Sequence, residues 1–247
     1  EQPRFNHRGR RPLRPVYVKL TTNERFPRLS IVRNHSGDGV YLGPLSSRKA
    51  AEPIVEAVQT ALPIRRCTGR VSKHADLSLT PPCTSLQLGV AMCPCSGATS
   101  EADYLEVVSA VERALTGEPD LVLGPLEVRM RSLAEDERFE EAAAVRDRAA
   151  AFVTAVGRQR RLSMFERVDR LVVETDRGHR IELGPEATPG SPQPATLDEA
   201  LCVSSWLDRH AENVRLISAS GELCSQLPAL PDYTPTRTNW EPGRSRE

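Results

Sequence analysis

A chain of 247 residues, 39% of them apolar and with 33 Lys plus Arg against 33 Asp plus Glu, has room for one large domain or two to three small ones, and the modest apolar content favours small units in series. No run approaches the ~18–20 apolar residues of a membrane span, and the Arg- and Pro-rich start has no signal-peptide core, so the expected location is cytoplasmic. Residues 1–74 hold fifteen Lys and Arg against five Asp and Glu, an excess that the remaining 173 residues offset; such a basic first third is either a polyanion-binding face or a plain solvated surface.

Residues 1–15 are basic and punctuated by proline. Tyr17–Leu20 and Arg28–Arg33 then read as two strands of a hairpin whose loop centres on Asn23, and Val40–Leu42 as a third strand. Ser46 or Ser47 is the expected N-cap of a helix running to about Leu62. Its apolar positions Ala51, Ile54, Val55, Val58 and Leu62 share one face, and Pro63 stops it. Residues 64–97 show no periodicity. After Ser100 a second helix carries Tyr104, Leu105, Val108, Val111 and Leu115 and ends at Gly117. Leu126, Met130 and Leu133 face inward from a third, and Phe139, Ala142, Ala143, Arg146 and Ala150 from a fourth. The acidic turn Glu135–Glu137 between these two is so short that they must form an antiparallel αα-hairpin, at about 125–158. Arg170–Glu174 and Arg180–Leu183 look like strands around Asp176-Arg177-Gly178, residues 184–195 like a linker. A helix from Leu197 to about Asp208 and a strand Val214–Ser218 complete a small α+β unit, and residues 228–247 read as disordered.

The fold class is therefore α+β, divided as a basic tail (1–15), a small α/β segment with a Cys-rich region (16–98), a helical region with the hairpin (99–162), a small α+β unit (163–227) and the tail. Cysteines stand at 67, 83, 93, 95, 202 and 224; the first four fall within 29 residues, which in a reducing compartment favours metal or cluster ligation over disulfides. Histidines 7, 35, 74, 179 and 210 have no metal-ligand or triad spacing and read as surface or turn residues. No Ser/His/Asp, P-loop or dinucleotide pattern occurs.

Pro3-Arg4-Phe5-Asn6, Tyr17-Val18-Lys19-Leu20-Thr21, Phe26-Pro27-Arg28-Leu29, Tyr41-Leu42-Gly43-Pro44, the segment Pro63-Ile64-Arg65-Arg66-Cys67 and Phe139-Glu140-Glu141-Ala142-Ala143-Ala144-Val145-Arg146-Asp147 stand in one order. In that order and spacing they resemble the middle of UvrC-type GIY-YIG excision-repair endonucleases, over residues 3 to about 155. The resemblance implies nucleotide excision repair within the SOS response. It makes Asn6 the last polar position of the nuclease motif and leaves no catalytic residue in this chain, because the family's catalytic Tyr, Arg and metal-binding Glu lie upstream of the part present. Tyr41-Leu42-Gly43 is not the Tyr-Ile-Gly motif, since no Gly-Ile-Tyr precedes it; with Met92 the first methionine, the chain reads as the later part of a longer product.

By the same resemblance, DNA contacts fall to Arg4, Asn6, Arg8, Arg10, Arg11, Lys19 and Arg28, guanidinium groups matching phosphate oxygens in pairs. Cys67, Cys83, Cys93 and Cys95 correspond to the family's 4Fe–4S ligands, a thiolate set that also suits structural zinc. The third departs from the family spacing, which would place it at Ala91, and a degenerate site with structural thiols is the other reading. Phe139, Glu140, Ala143, Arg146 and Asp147 belong to a UVR-like motif, implying a UvrB-like helicase as hairpin partner or, alternatively, packing within the chain only. The end of the chain is similar to the terminal unit of actinobacterial fusions of a DEDD-type exonuclease with a GIY-YIG nuclease. Two alternatives stand beside the endonuclease reading: a non-catalytic DNA-repair adaptor, and part of a DnaQ-like 3′–5′ exonuclease/GIY-YIG fusion.

Overall fold

Alternation along Val16–Leu20 (β1) sends Val16, Val18 and Leu20 to one face and Tyr17 and Lys19 to the other. In the computed structural model, which describes residues 15–69, 71–72, 74–78, 80–97, 99–183, 205–206, 209–221 and 230–233, β1 is the centre of an antiparallel sheet between Leu29–Val32 (β2) and Val40–Leu45 (β3). The register Leu20↔Leu29, Val18↔Ile31, Val18↔Leu42 and Leu20↔Val40 gathers the apolar side chains on one face. Thr21 closes the hairpin, its hydroxyl accepting from the Arg28 amide at 2.9 Å. Gly43 sits where β3 bulges, at φ +153°; a Cβ there would lie 2.8 Å from the Tyr17 ring, so only glycine fits.

Ser47 caps Arg48–Ala61 (α1), its hydroxyl accepting from the Ala50 amide at 3.2 Å. The helix covers the apolar face of the sheet with Ala51, Ile54, Ala57 and Val58, while Val55 and Leu62 are half-buried. Thr84–Gln87 (α2) is a single turn within the Cys-rich region. Ser100 caps Glu101–Thr116 (α3), and Gly117 ends it. Tyr104, Val108, Val111 and Leu115 are buried as expected, but Leu105 is exposed: one residue past Tyr104, it turns some 100° off the buried face.

Asp120–Glu135 (α4) and Phe139–Arg167 (α5) form the expected hairpin, both longer than the pattern suggested. The turn is a Schellman-type closure, with the Arg138 amide donating to the Leu133 carbonyl at 2.8 Å and that of Glu137 to Ala134 at 3.1 Å. Glu137 takes the left-handed position, φ +59°, usually given to glycine. The buried stripe of α5 is Ala142, Val145, Ala149, Phe152 and Val156. Phe139, expected inward, is 66% exposed because it lies beside the turn, where α4 has already ended. Ala143, Arg146 and Ala150 are half-buried on the flank of the stripe.

One apolar cluster runs through the sheet, α1, α3, α4 and α5, so the hairpin shares its core with the sheet. The second half of α5 lies along β3, where Gln159 accepts from the Gly43 amide at 3.3 Å and Arg158 donates to the Pro44 carbonyl at 3.4 Å. Val168–Thr175 (β4) then pairs antiparallel with Arg180–Leu183 (β5) and Val214–Gly221 (β6). The expected helix at 197–208 lies mostly outside the described residues, as do most of 228–247. Within that last segment, Leu230 packs against the core and the Tyr233 hydroxyl donates to Glu127 at 2.5 Å.

Candidate metal centre and basic sheet face

Residues 64–97 lack apolar periodicity, and polar links shape them. Cys83 precedes α2 as its cap residue, while Cys93 and Cys95 flank Pro94. Immediately afterwards Ser96 and Gly97 are both left-handed, φ +62° and +64°, and Thr99 clips the loop by donating to the Cys93 carbonyl at 2.8 Å. That reversal gives the Cys-Pro-Cys pair a shared aim: the Sγ atoms of Cys83, Cys93 and Cys95 lie within 4.8 Å of one another. Cys67 lies next to Cys93, its Sγ 4.0 Å from that of Cys93. All four thiols are free, Cys93 fully buried, and Ala91, at the family's third position, is a core residue.

Their protonation is uneven. The hydrogen bond from Cys93 pulls the Cys67 thiol down to about 5, aided by the Arg65 guanidinium against the cost of burial. The same bond pushes Cys93 up, and burial adds to it; the pair in effect shares one proton. The Leu86 amide lowers Cys83, whereas burial and the neighbouring Cys83 raise Cys95. A lowered pair, Cys67 and Cys83, beside a raised pair, Cys93 and Cys95, that would lose protons to solvent on binding a cation, is a donor set that could hold a metal. Zinc bonds thiolate at about 2.3 Å in a tetrahedron, which sets sulfurs about 3.8 Å apart. The 4.0 Å between Cys67 and Cys93 is close to that, and Cys83, Cys93 and Cys95 lie within 4.8 Å of one another, whereas a cubane cluster, in which each thiolate bonds a different iron, needs a wider opening of the same residues.

Sequence reasoning used Arg65 only as spacing before Cys67, yet it is 1% exposed and central. It donates to the Phe26 carbonyl, the Gly69 carbonyl, the Cys67 sulfur and the Glu24 carboxylate. Tyr104 of α3 stands behind it, accepting from the Arg65 amide and donating to the Pro27 carbonyl at 2.6 Å, with burial pushing its hydroxyl up to about 12. A buried tyrosine at the inward position of a helix beside a basic-Cys segment was the available signal.

On the opposite face of the sheet from α1, Lys19 stands between Ser30 and Tyr41 in register. Its ammonium lies 4.9 Å from the Tyr41 ring centre and donates to the Ser36 carbonyl at 3.4 Å. Arg28 reaches the same face, donating to the Ser30 hydroxyl at 2.7 Å, with Glu24 3.6 Å from its Nε. His35, read as a turn residue, packs edge-on against Tyr41 at 4.3 Å and beside Tyr17 at 5.2 Å. The Tyr41 hydroxyl is bound to the Ser36 and Gly37 carbonyls. Arg4, Asn6, Arg8, Arg10 and Arg11 lie outside the described residues.

Residues 15–114, which hold this sheet and all four cysteines, match the family described as the UvrC/Cho excinuclease middle domain. The chain is UvrC-like. It is 32% identical over 151 residues to the UvrABC system protein C of Thermoanaerobacter sp. strain X514, covering 61% of this chain and 24% of that protein. With the protein of the same name from Syntrophus aciditrophicus strain SB it is 33% identical over 183 residues, 73% of this chain and 29% of the relative. The Halobacterium salinarum R1 protein of that name is 32% identical over 149 residues, 60% and 25% of the two chains. The chain thus spans about a quarter of the curated relatives it matches. No solved structure matches it.

In this UvrC-like chain, the hairpin residues expected to meet a partner surround the start of α5. Phe139, Glu140 and Asp147 are exposed, Ala143 and Arg146 half-buried, and Arg146 pairs with Asp147 at 2.7 Å. Next to them Val128 is exposed, and Pro125, Val128, Arg129, Ser132, Leu133, Asp136 and Arg138 line a shallow hollow. No described helix is long and apolar enough to cross a membrane.

Proposed function

We propose that the chain serves nucleotide excision repair as the DNA-contacting and partner-docking part of a cytoplasmic UvrC-like endonuclease. The observation that carries this reading is the convergence of four cysteines inside the segment matching the excinuclease middle domain. Arg4, Asn6, Arg8, Arg10, Arg11, Lys19 and Arg28 contact DNA backbone, the N-terminal stretch extending the basic face on which Lys19 and Arg28 stand. Phe139, Glu140, Ala143, Arg146 and Asp147 present the α4/α5 hairpin to a UvrB-like helicase, with exposed Phe139 and Val128 as the apolar anchors. Cys67, Cys83, Cys93 and Cys95 hold a metal that braces a region with little apolar core, zinc by the sulfur spacing, with a 4Fe–4S cluster as the second outcome.

Incision itself is not assigned to residues of this chain, because the Tyr, Arg and Glu positions of the GIY-YIG motif are not among them. Purified 1–247 with magnesium or manganese therefore retards duplex DNA in a gel without nicking it. About six phosphate contacts imply a loss of roughly 10³-fold in affinity between ~50 and ~200 mM salt. Charge reversal at Arg4, Arg8, Arg10, Arg11, Lys19 and Arg28 together abolishes the retardation; undiminished binding after that change refutes the assigned DNA contact.

A further inference from the structure

Arg65 heads the fully buried side chains of the described core by size, and its guanidinium cannot shed its charge. Removing such a group from water is costly, and an ion pair with Glu24 at 2.7 Å repays that only when the remaining donors are also satisfied. Each of its three nitrogens has a partner: besides Nη2 on Glu24, Nε donates to the Phe26 carbonyl at 2.8 Å, and Nη1 to the Gly69 carbonyl at 2.7 Å and the Cys67 sulfur at 3.3 Å. One planar fork therefore joins a cysteine ligand to the β1–β2 loop. Among the described residues the loop is tied further by Tyr104, which bridges the Arg65 amide and the Pro27 carbonyl, and by Arg25, which donates to Glu101 of α3 at 2.8 Å and to the Ala75 carbonyl at 3.3 Å.

We propose that Arg65 is a positioning residue for the cysteine site and couples metal occupancy at Cys67 to the order of the β1–β2 loop. The inference rests on the reading of the four cysteines as a metal site. A metal-bound thiolate still accepts a hydrogen bond, so an ion that fixes Cys67 fixes the guanidinium, and the guanidinium fixes Glu24 and the Phe26 carbonyl. Lysine cannot substitute: its ammonium is a point charge without the fork that spans Cys67, Glu24 and Phe26 at once. The loop so held leads directly into β2 and Arg28, on the basic face of the sheet.

The test uses the full chain and zinc alone. Competition against a chromophoric chelator gives the affinity, and hydrogen exchange at residues 22–26 reads the loop. Zinc slows that exchange in the wild type. Arg65→Lys lowers zinc affinity roughly 10- to 100-fold, the usual effect of losing a residue that holds a ligand, and abolishes the zinc-dependent protection. Arg66→Ala, whose guanidinium donates to the Gln59 carbonyl at the surface, leaves both unchanged. A merely structural role would lower the stability of the metal-free and zinc-loaded forms alike and leave the zinc response intact. Glu24→Gln serves if the lysine variant does not fold: it keeps zinc binding and weakens the protection at 22–26. Wild-type affinity and protection in folded Arg65→Lys, undiminished protection in Glu24→Gln, or wild-type zinc binding without any change at 22–26, each overturns the coupling while sparing the metal site. Failure of the wild type to bind zinc overturns the coupling together with a zinc site.

Discussion

The sheet with its covering helices and the Cys-rich segment between α1 and α3 are neighbours built on different physics. In the first, Val18, Leu20, Leu42, Ile54, Val58, Val111, Leu126 and Phe152 meet in one apolar cluster, and regular hydrogen bonding follows from the strands and helices that carry them. In the second, Cys93 and Arg65 are buried without a regular element to hold them, and the shape comes from a guanidinium fork, a left-handed reversal at Ser96 and Gly97, and four converging thiols. A region of the first kind is stable on its own account. One of the second kind, under the proposed metal reading, would lean on a ligand.

The sharpest way to break that contrast is to damage each region separately. Phe152→Ala opens a cavity in the shared core and costs about 3–5 kcal/mol, equally with and without zinc in a denaturant titration. Cys93→Ser leaves the metal-free stability near that of the wild type but removes the zinc response, which in the wild type amounts to about 2.7 kcal/mol at a free zinc concentration of 100 times Kd. A zinc response that survives Cys93→Ser would mean that the buried thiol is not a ligand. The pH dependence follows from the thiols. Cys93 and Cys95 are raised and would lose protons to solvent on binding a metal, while Cys67, down at about 5, would have almost none to lose above pH 6. Zinc binding therefore tightens with rising pH, by about tenfold per unit for each proton released.

Smaller effects refine the helical side. Glu137→Gly relieves a left-handed residue at the hairpin turn and stabilises by about 1 kcal/mol, read as a higher midpoint at unchanged slope. Phe139→Ala changes stability by less than about 0.5 kcal/mol, because the ring is 66% exposed, yet lowers affinity for a UvrB-like hairpin in a pull-down or titration. A stability loss of several kcal/mol would show instead that the ring packs within the chain.

The same contrast explains what the sequence disclosed. Period-two and period-3.6 apolar patterns located β1 to β3, α1 and α3, and Ser47, one of the two expected caps, begins α1, because burial of alternating or stacked side chains is written locally. The hairpin's existence was legible, its inward face less so: Ala-rich stretches offer several equivalent stripes, and α4 selects Ala142, Val145, Ala149 and Phe152 over the stripe through Phe139, Ala143 and Arg146. The four cysteines stood out by type and spacing; that Cys93, off the family spacing, lies with Cys83 and Cys95 within 4.8 Å is seen only in the structure, where the chain reverses at Ser96. Arg65 with Glu24 was not legible, since the two are 41 positions apart and nothing local marks a buried ion pair.

Metal analysis of anaerobically purified, folded 1–247 tests the cysteine centre most directly. The expected result is about one equivalent of zinc per chain, lost together with the protection of residues 22–26 when Cys93 is replaced by serine. Iron with acid-labile sulfide would keep the four ligands and overturn the reading of their spacing. Well under one equivalent of either metal in folded protein would contradict the centre itself.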